Sequence, residues 1–204
     1  MKLSTKNKIL DKIKKRGRGY VFSASDFILD FKRYEIDQSF KSLLDAEIIK
    51  KVLTGIYYYP EYSQLLEKYI LPDINKVVDL ISKKNNWKIF PEGNTALNYL
   101  GLSTQIPAKY IYISTGPSRK YNIENLTLEF KHRIQKESGI SDENTNLVVQ
   151  AIKAIGKVQA QQENFIKKLS SCYSENDWIK IEKKAKNVPY WILEVIIKAK
   201  EFAK

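Results

Sequence analysis

Between Tyr20 and Pro60 the chain reads YVFSASDFILDFKRYEIDQSFKSLLDAEIIKKVLTGIYYYP, and the order of signals in that stretch restricts the fold more than any other feature. Ser23 and Ser25 are hydroxyl cap candidates ahead of Asp26, with Phe27, Ile28 and Phe31 behind them, which predicts a short first helix. A second helix is predicted from about Tyr34 to Ala46, where Ile36, Phe40, Leu43 and Leu44 recur at i, i+4, i+7 and i+8 on one face. The opposite face is polar. Ile48 to Leu53 and Ile56 to Tyr59 are β-branched or aromatic runs joined at Thr54-Gly55, where glycine supplies the positive φ of a tight hairpin turn. Two short helices, a turn and a hairpin in this order make a winged helix-turn-helix, with the hairpin as its wing.

Such a motif places its second helix in the DNA major groove. The exposed face of that helix offers Arg33, Tyr34, Asp37, Gln38, Lys41 and Ser42. Arg and Gln make bidentate contacts to guanine and adenine edges, whereas Lys41 and Tyr34 suit phosphates. Lys50, Lys51 and Thr54 on the wing would meet backbone or minor groove. Upstream, Ser4 to Arg16 carries Ile9, Leu10 and Ile13 at helical spacing among five lysines, and stops at Gly17. In RGRGY, Arg16 and Arg18 lie between glycines in a flexible charged loop, either a phosphate contact or a helix stop with solvated charges. The candidate DNA-contact set is therefore Arg16, Arg18, Ser23, Arg33, Tyr34, Gln38, Lys41, Ser42, Lys50, Lys51 and Thr54. A winged helix that binds protein is the competing reading.

A formal net charge of +12 and a pI of about 9.5 favour a polyanionic partner such as double-stranded DNA, although a basic chain rich in Lys and Asn would show the same balance. A hydrophobic fraction of 43% suffices for ordinary cores. Cys172 and His132 are the single cysteine and histidine, which excludes an intramolecular disulfide and leaves almost no thiolate or imidazole metal cluster. Cys172 falls in a helical pattern as a small packing residue. No apolar run approaches the roughly 20 residues of a membrane span, so the expectation is a cytoplasmic protein with no membrane partner.

Past Pro60 the composition changes, and a linker near Glu61 to Tyr69 is expected to separate domains. SQLLEKYILPDINKVVDLISKKNN reads as helical, restarted at Pro72-Asp73, with Val77, Val78, Leu80 and Ile81 buried. WKIFP, EGNTALNYLGL, KYIYIST, GPSR and LTLEFKHR read as strand, loop and short helix, strand, turn and strand. From about Ser141 the pattern is wholly helical. The expected fold class is α+β, with residues 1–60 a winged helix-turn-helix DNA-binding domain, 61–140 a small mixed α/β unit, and 141–204 a helical region packed on it.

No nucleophile elbow, P-loop or dinucleotide glycine pattern is present, and neither an enzyme nor a cofactor is expected. The remote enzymatic alternative is a metal-dependent nuclease: Pro72-Asp73 and Glu129-Phe130-Lys131 spell a PD…ExK pair, in which carboxylates bind Mg²⁺. Against it, Asp73 starts a helix rather than ending a strand.

GYVFSASDF with LTGIYYYP, followed by PEGNTALNYLGLSTQIPAKYIYISTGPSR, resembles the AbiEi-like antitoxins of bacterial abortive-infection toxin-antitoxin systems, over about residues 5 to 135 and nearest their short branch. The resemblance implies an autorepressor that binds inverted promoter repeats, with a nucleotidyltransferase-like toxin encoded in the same operon. It also implies an antitoxin role for the second domain, where Asn94, Gln105, Ser118 and Arg119 fall in the matching run. The alternative within this reading is an interaction module that binds and neutralises the toxin directly. On physical grounds alone, Gly93-Asn94 and Gly116-Pro117 are turn formers, and Arg119 beside Ser118 is an anion or carboxylate ligand or a structural ion pair.

Overall fold

The computed structural model describes residues 4–105, 107–133 and 142–203, and the chain is α+β throughout. It forms two compact units, residues 1–86 and 87–204.

The first unit opens with α1 (Thr5–Arg16), whose Ser4 hydroxyl accepts from the Asn7 N–H and which buries Ile9 and Ile13. Then come β1 (Val21–Phe22), a 3-10 turn (Ala24–Asp26), α2 (Arg33–Asp45), β2 (Lys50–Leu53) and β3 (Ile56–Tyr58). The strands form an antiparallel sheet in the order β1-β3-β2. With α1 and α2 this is the winged-helix arrangement, and β1 is the strand that the sequence pattern hid. Gly55 takes φ 75° at the wing turn.

Two parts of this unit differ from the sequence reading. The first helix of the helix-turn-helix is only a 3-10 turn, capped where the Asp26 carboxylate folds back to accept from the Ser23 N–H at 2.7 Å and its hydroxyl at 3.2 Å. Phe27 and Phe31 then turn inward while Ile28 stays exposed. The expected linker is instead a hairpin, β4 (Glu61–Ser63) with β5 (Lys68–Ile70), and α3 (Ile74–Asn85) follows within the same unit. Tyr62 and Tyr69 face each other across it at 5.2 Å, a cross-strand aromatic pair that outweighs the local helical pattern. The helix expected here begins only at Asp73, whose carboxylate accepts from the Asn75 N–H.

In the second unit, β6 (Ile89–Pro91), β7 (Lys109–Ser114), β8 (Arg119–Ile123) and β9 (Leu126–His132) form a mixed sheet in the order β6-β7-β9-β8, with only β7 and β9 parallel. The crossover between β6 and β7 carries α4 (Asn94–Tyr99), tied down where Thr95 Oγ1 accepts from the Ile111 N–H at 2.8 Å. Helices α5 (Glu143–Ile155), α6 (Lys157–Ala160), α7 (Glu163–Ser170), α8 (Glu175–Lys184) and α9 (Tyr190–Phe202) then pack around Trp178, Ile181, Ile192, Val195 and Ile196. Trp178 is fully buried, and its indole N–H donates to the Ser170 carbonyl at 3.0 Å. Among the described residues, no helix is long and apolar enough to cross a membrane.

Truncating the indole opens a cavity and strands that carbonyl, so Trp178→Ala should cost about 3–5 kcal/mol in chemical denaturation. A smaller loss for Trp178→Phe would separate the volume from the hydrogen bond.

Candidate nucleic-acid interface

With 3.6 residues per turn, the buried stripe of α2 (Ile36, Phe40, Leu43) leaves Tyr34, Gln38 and Lys41 on the opposite side, and all three are exposed. Arg33 lies at the margin of this face, its Nε donating to both Asp37 carboxylate oxygens at 2.9 and 3.1 Å. The pair is exposed and contributes little to stability, so the guanidinium can be released to a stronger acceptor. Ser42 is half-buried and lines a cleft of about 340 Å³ between α1 and α2 with Lys6, Tyr34 and Gln38.

The wing presents Lys51 and Thr54 to solvent. Lys50 is committed elsewhere, its ammonium 4.0 Å above the Tyr69 ring. A residue that the sequence did not suggest takes its place: a Cβ built on Gly55 would lie 3.0 Å from Lys84 Nζ, so the end of α3 brings this cation against the wing turn. Nothing in the local pattern of α3 signals this, since Lys83 and Lys84 read as an ordinary basic last turn.

Two further residues of the candidate set are held within the scaffold, Arg18 and Ser23. Arg18 donates from Nη1 to the Pro60 carbonyl at 2.7 Å and lies 4.0 Å over the Tyr59 ring, so part of its guanidinium is engaged within the unit. The RGRGY segment is tied as well, because the Gly19 N–H donates to Tyr59 and the Tyr59 N–H to Tyr20, so it is not the expected flexible loop. Ser23 is only 2% exposed and caps the 3-10 turn with Asp26, which withdraws it from a groove surface. Arg16 remains exposed, 5.9 Å from the Tyr20 ring.

The second unit divides its candidates. Asn94 and Gln105 line a cleft of about 1010 Å³ with Asn98, Ser103, Lys168 and Ser171, and no carboxylate lies among the described residues lining it. Cys172 is also at its wall; its thiol donates to the carbonyls of Leu100 and Lys168, and burial pushes it up from its ordinary value. Ser118 and Arg119 do not line this cleft. The Ser118 hydroxyl accepts from the His132 N–H at 2.9 Å, while the His132 ring meets the Gly116 carbonyl at 2.9 Å. Arg119 lies 5.6 Å over the Trp87 ring, and Gly116 packs so closely on the same indole that a Cβ there would fall 2.2 Å from it. The TGPSR segment is thus a packing joint.

Of the nuclease signature, Asp73 caps α3, and Glu129 is ion-paired with Lys109, which holds its carboxyl below the usual range. Among the described residues, no group of three His, Cys, Asp or Glu could hold a metal ion.

The sequence matches the family of unknown function DUF6088 over residues 8–179. No curated protein matches the chain. Among solved structures, the RV2827C protein from Mycobacterium tuberculosis is similar at 10% identity and a TM-score of 0.45, over 97% of this chain and 76% of that one.

Gly116→Ala should destabilise the second unit by about 1–3 kcal/mol, because the indole of Trp87 has to move aside for the methyl group. Denaturation followed by tryptophan fluorescence would measure it, and an unchanged midpoint would show that the joint yields.

Proposed function

The chain belongs to the DUF6088 family, and we propose that it is a cytoplasmic DNA-binding repressor that meets double-stranded operator DNA through its first unit. The observation that carries this reading is the exposed row Tyr34, Gln38 and Lys41 on α2, opposite its buried stripe, together with the cations Lys51 and Lys84 at the wing. Gln38 and a released Arg33 would read base edges, Lys41 and Tyr34 would meet phosphates, and the wing cations would follow the backbone. The helix also bears Asp37 and Asp45, so a sequence-blind electrostatic grip is disfavoured and selectivity by repulsion is built in. The resemblance to AbiEi-like antitoxins supplies the biological setting: repression of its own promoter, in an operon that also encodes a nucleotidyltransferase-like toxin.

A second reading, direct capture of that toxin, is favoured by one observation in the second unit. The acid-free cleft between α4, the segment following it, α5 and α7 offers the amides of Asn94, Asn98 and Gln105 and the ammonium of Lys168 to a partner. The two roles are compatible, each residing in its own unit.

Mobility-shift titration on the chain's own upstream DNA across a salt series tests the first reading. Gln38→Ala and Arg33→Ala should each lose about 1–3 kcal/mol in a sequence-dependent way, while Lys51→Ala and Lys84→Ala should weaken all sequences alike and each reduce the salt slope by about one. Affinity that ignores salt, or parent-like binding by the α2 variants, would reject it. Co-expression with the neighbouring gene's product tests the second. A stable complex weakened by Lys168→Glu is expected, and failure to recover any complex would remove direct capture.

A further inference from the structure

A cavity of about 560 Å³ is set in the first unit, where α1, the turn leaving α2 and the root of the β4–β5 hairpin meet. That volume falls within the roughly 300–1,000 Å³ that small-molecule sites occupy. Its apolar lining is largely aromatic, with Tyr59, Tyr62 and Tyr69 beside Leu10 and Ile48. Four charged residues complete the wall, Lys14 and Arg18 of one sign and Glu47 and Glu61 of the other. Among the described residues none of the four is ion-paired.

Several of these groups are held in place by neighbours. The Nη1 hydrogen bond from Arg18 to the Pro60 carbonyl at 2.7 Å, with the Tyr59 ring 4.0 Å away, orients the guanidinium and leaves its other N–H groups to a bidentate acceptor. Tyr69 is fixed by the Lys50 ammonium at 4.0 Å on its ring and by Tyr62 edge-on at 5.2 Å. Glu47 takes φ 53° directly after Ala46, the C-cap of α2, where glycine is the usual residue. The turn thus carries a carboxylate at the cavity wall in place of the residue its backbone favours.

We propose that this cavity binds a zwitterionic amino acid with an aromatic or bulky apolar side chain. The chemistry of the wall selects that class by exclusion. A phosphate group would meet Glu47 and Glu61, and a quaternary ammonium would find Tyr59 and Tyr69 each already stacked on a cation, Arg18 or Lys50. A hydrocarbon would desolvate four charges without answering any of them. An amino acid answers both signs at once, its carboxylate to Arg18 and Lys14, its ammonium to Glu47 or Glu61, and its side chain to the tyrosine rings. Because the wall takes residues from α1, from the turn leaving α2 and from the hairpin, an occupant stabilises their mutual arrangement. Binding stands independently of the operator reading, and only its consequence, a ligand that tunes DNA affinity, rests on that reading.

Isothermal titration calorimetry of the full chain without DNA tests this, with L-phenylalanine, L-tryptophan, L-leucine and L-methionine as titrants. For the one that binds best, the amine lacking its carboxylate and the acid lacking its ammonium follow. At least one amino acid is expected to saturate the chain with a Kd of about 1 mM or lower, and each single-charge analogue to bind about tenfold more weakly or worse. Glu47→Gly and Lys14→Ala should each weaken the amino acid about tenfold. Glycine suits the Glu47 turn and Lys14 is exposed, so both variants should keep the parent's circular dichroism spectrum and denaturation midpoint to within a few degrees. The proposal is overturned if none of the four amino acids saturates by about 5 mM, if the single-charge analogues bind as well as the zwitterion, or if both folded variants bind like the parent. Since no DNA is present, none of these outcomes bears on the operator reading.

Discussion

Phe22 has no exposed surface, and its ring touches four others: Tyr20 at 5.4 Å, Phe40 at 5.4 Å, Phe27 at 5.8 Å and Tyr57 at 6.2 Å. Those rings belong to the approach to β1, to α2, to the 3-10 turn and to β3, so one side chain joins every element of the winged helix except α1 and β2. Phe40 closes the ring set by meeting Tyr57 at 5.0 Å and Phe27 at 5.6 Å. Pairs of this kind contribute about 0.5–1.5 kcal/mol each beyond simple burial. The consequence for function is orientation: the polar row on α2 points outward because the aromatic side of the same helix is fixed to the sheet that ends in the wing.

Charge has to be followed residue by residue to be informative. Residues 1–86 hold 17 Lys and Arg against 11 Asp and Glu, and residues 87–204 hold 18 against 12, so the excess is shared equally and does not mark a DNA-facing unit. What differs is how the cations are used. Arg18, Lys50 and Arg119 rest on aromatic rings, and Lys131 and Arg133 share the Glu92 carboxylate. Lys41, Lys51 and Lys84 take part in no ion pair among the described residues, and these remain available for a polyanion.

The sequence was readable where a pattern repeats and silent where a single contact decides. The apolar spacing of α1, α2 and the C-terminal helices, and the Thr54-Gly55 turn, needed only periodicity and backbone preference. β1 is two residues long and the 3-10 turn three, too short for either to leave a periodic trace. The hairpin at Glu61 to Ile70 was hidden by QLLEKYI, which fits a helix locally and yields to the Tyr62–Tyr69 contact across the strands. Of the candidate contacts, the α2 set could be read from helix geometry. Lys84 could not, because its place beside Gly55 is a tertiary fact.

The run PEGNTALNYLGLSTQ…TGPSR reads as a single signature in sequence, yet it separates in space into parts under different constraints. Its second part is fixed by packing: Gly116 under the Trp87 indole, Arg119 over it, and Ser118 and Gly116 accepting from or meeting His132. Substitution there acts through the fold. Its first part surrounds the cleft, where Asn94, Asn98 and Gln105 present amide groups at a wall with one lysine and no acid among the described residues. Asn94 and Gln105 thus stand at the wall of a cleft, whereas Arg119, the residue whose charge suggests a ligand most strongly in sequence, rests on the Trp87 ring.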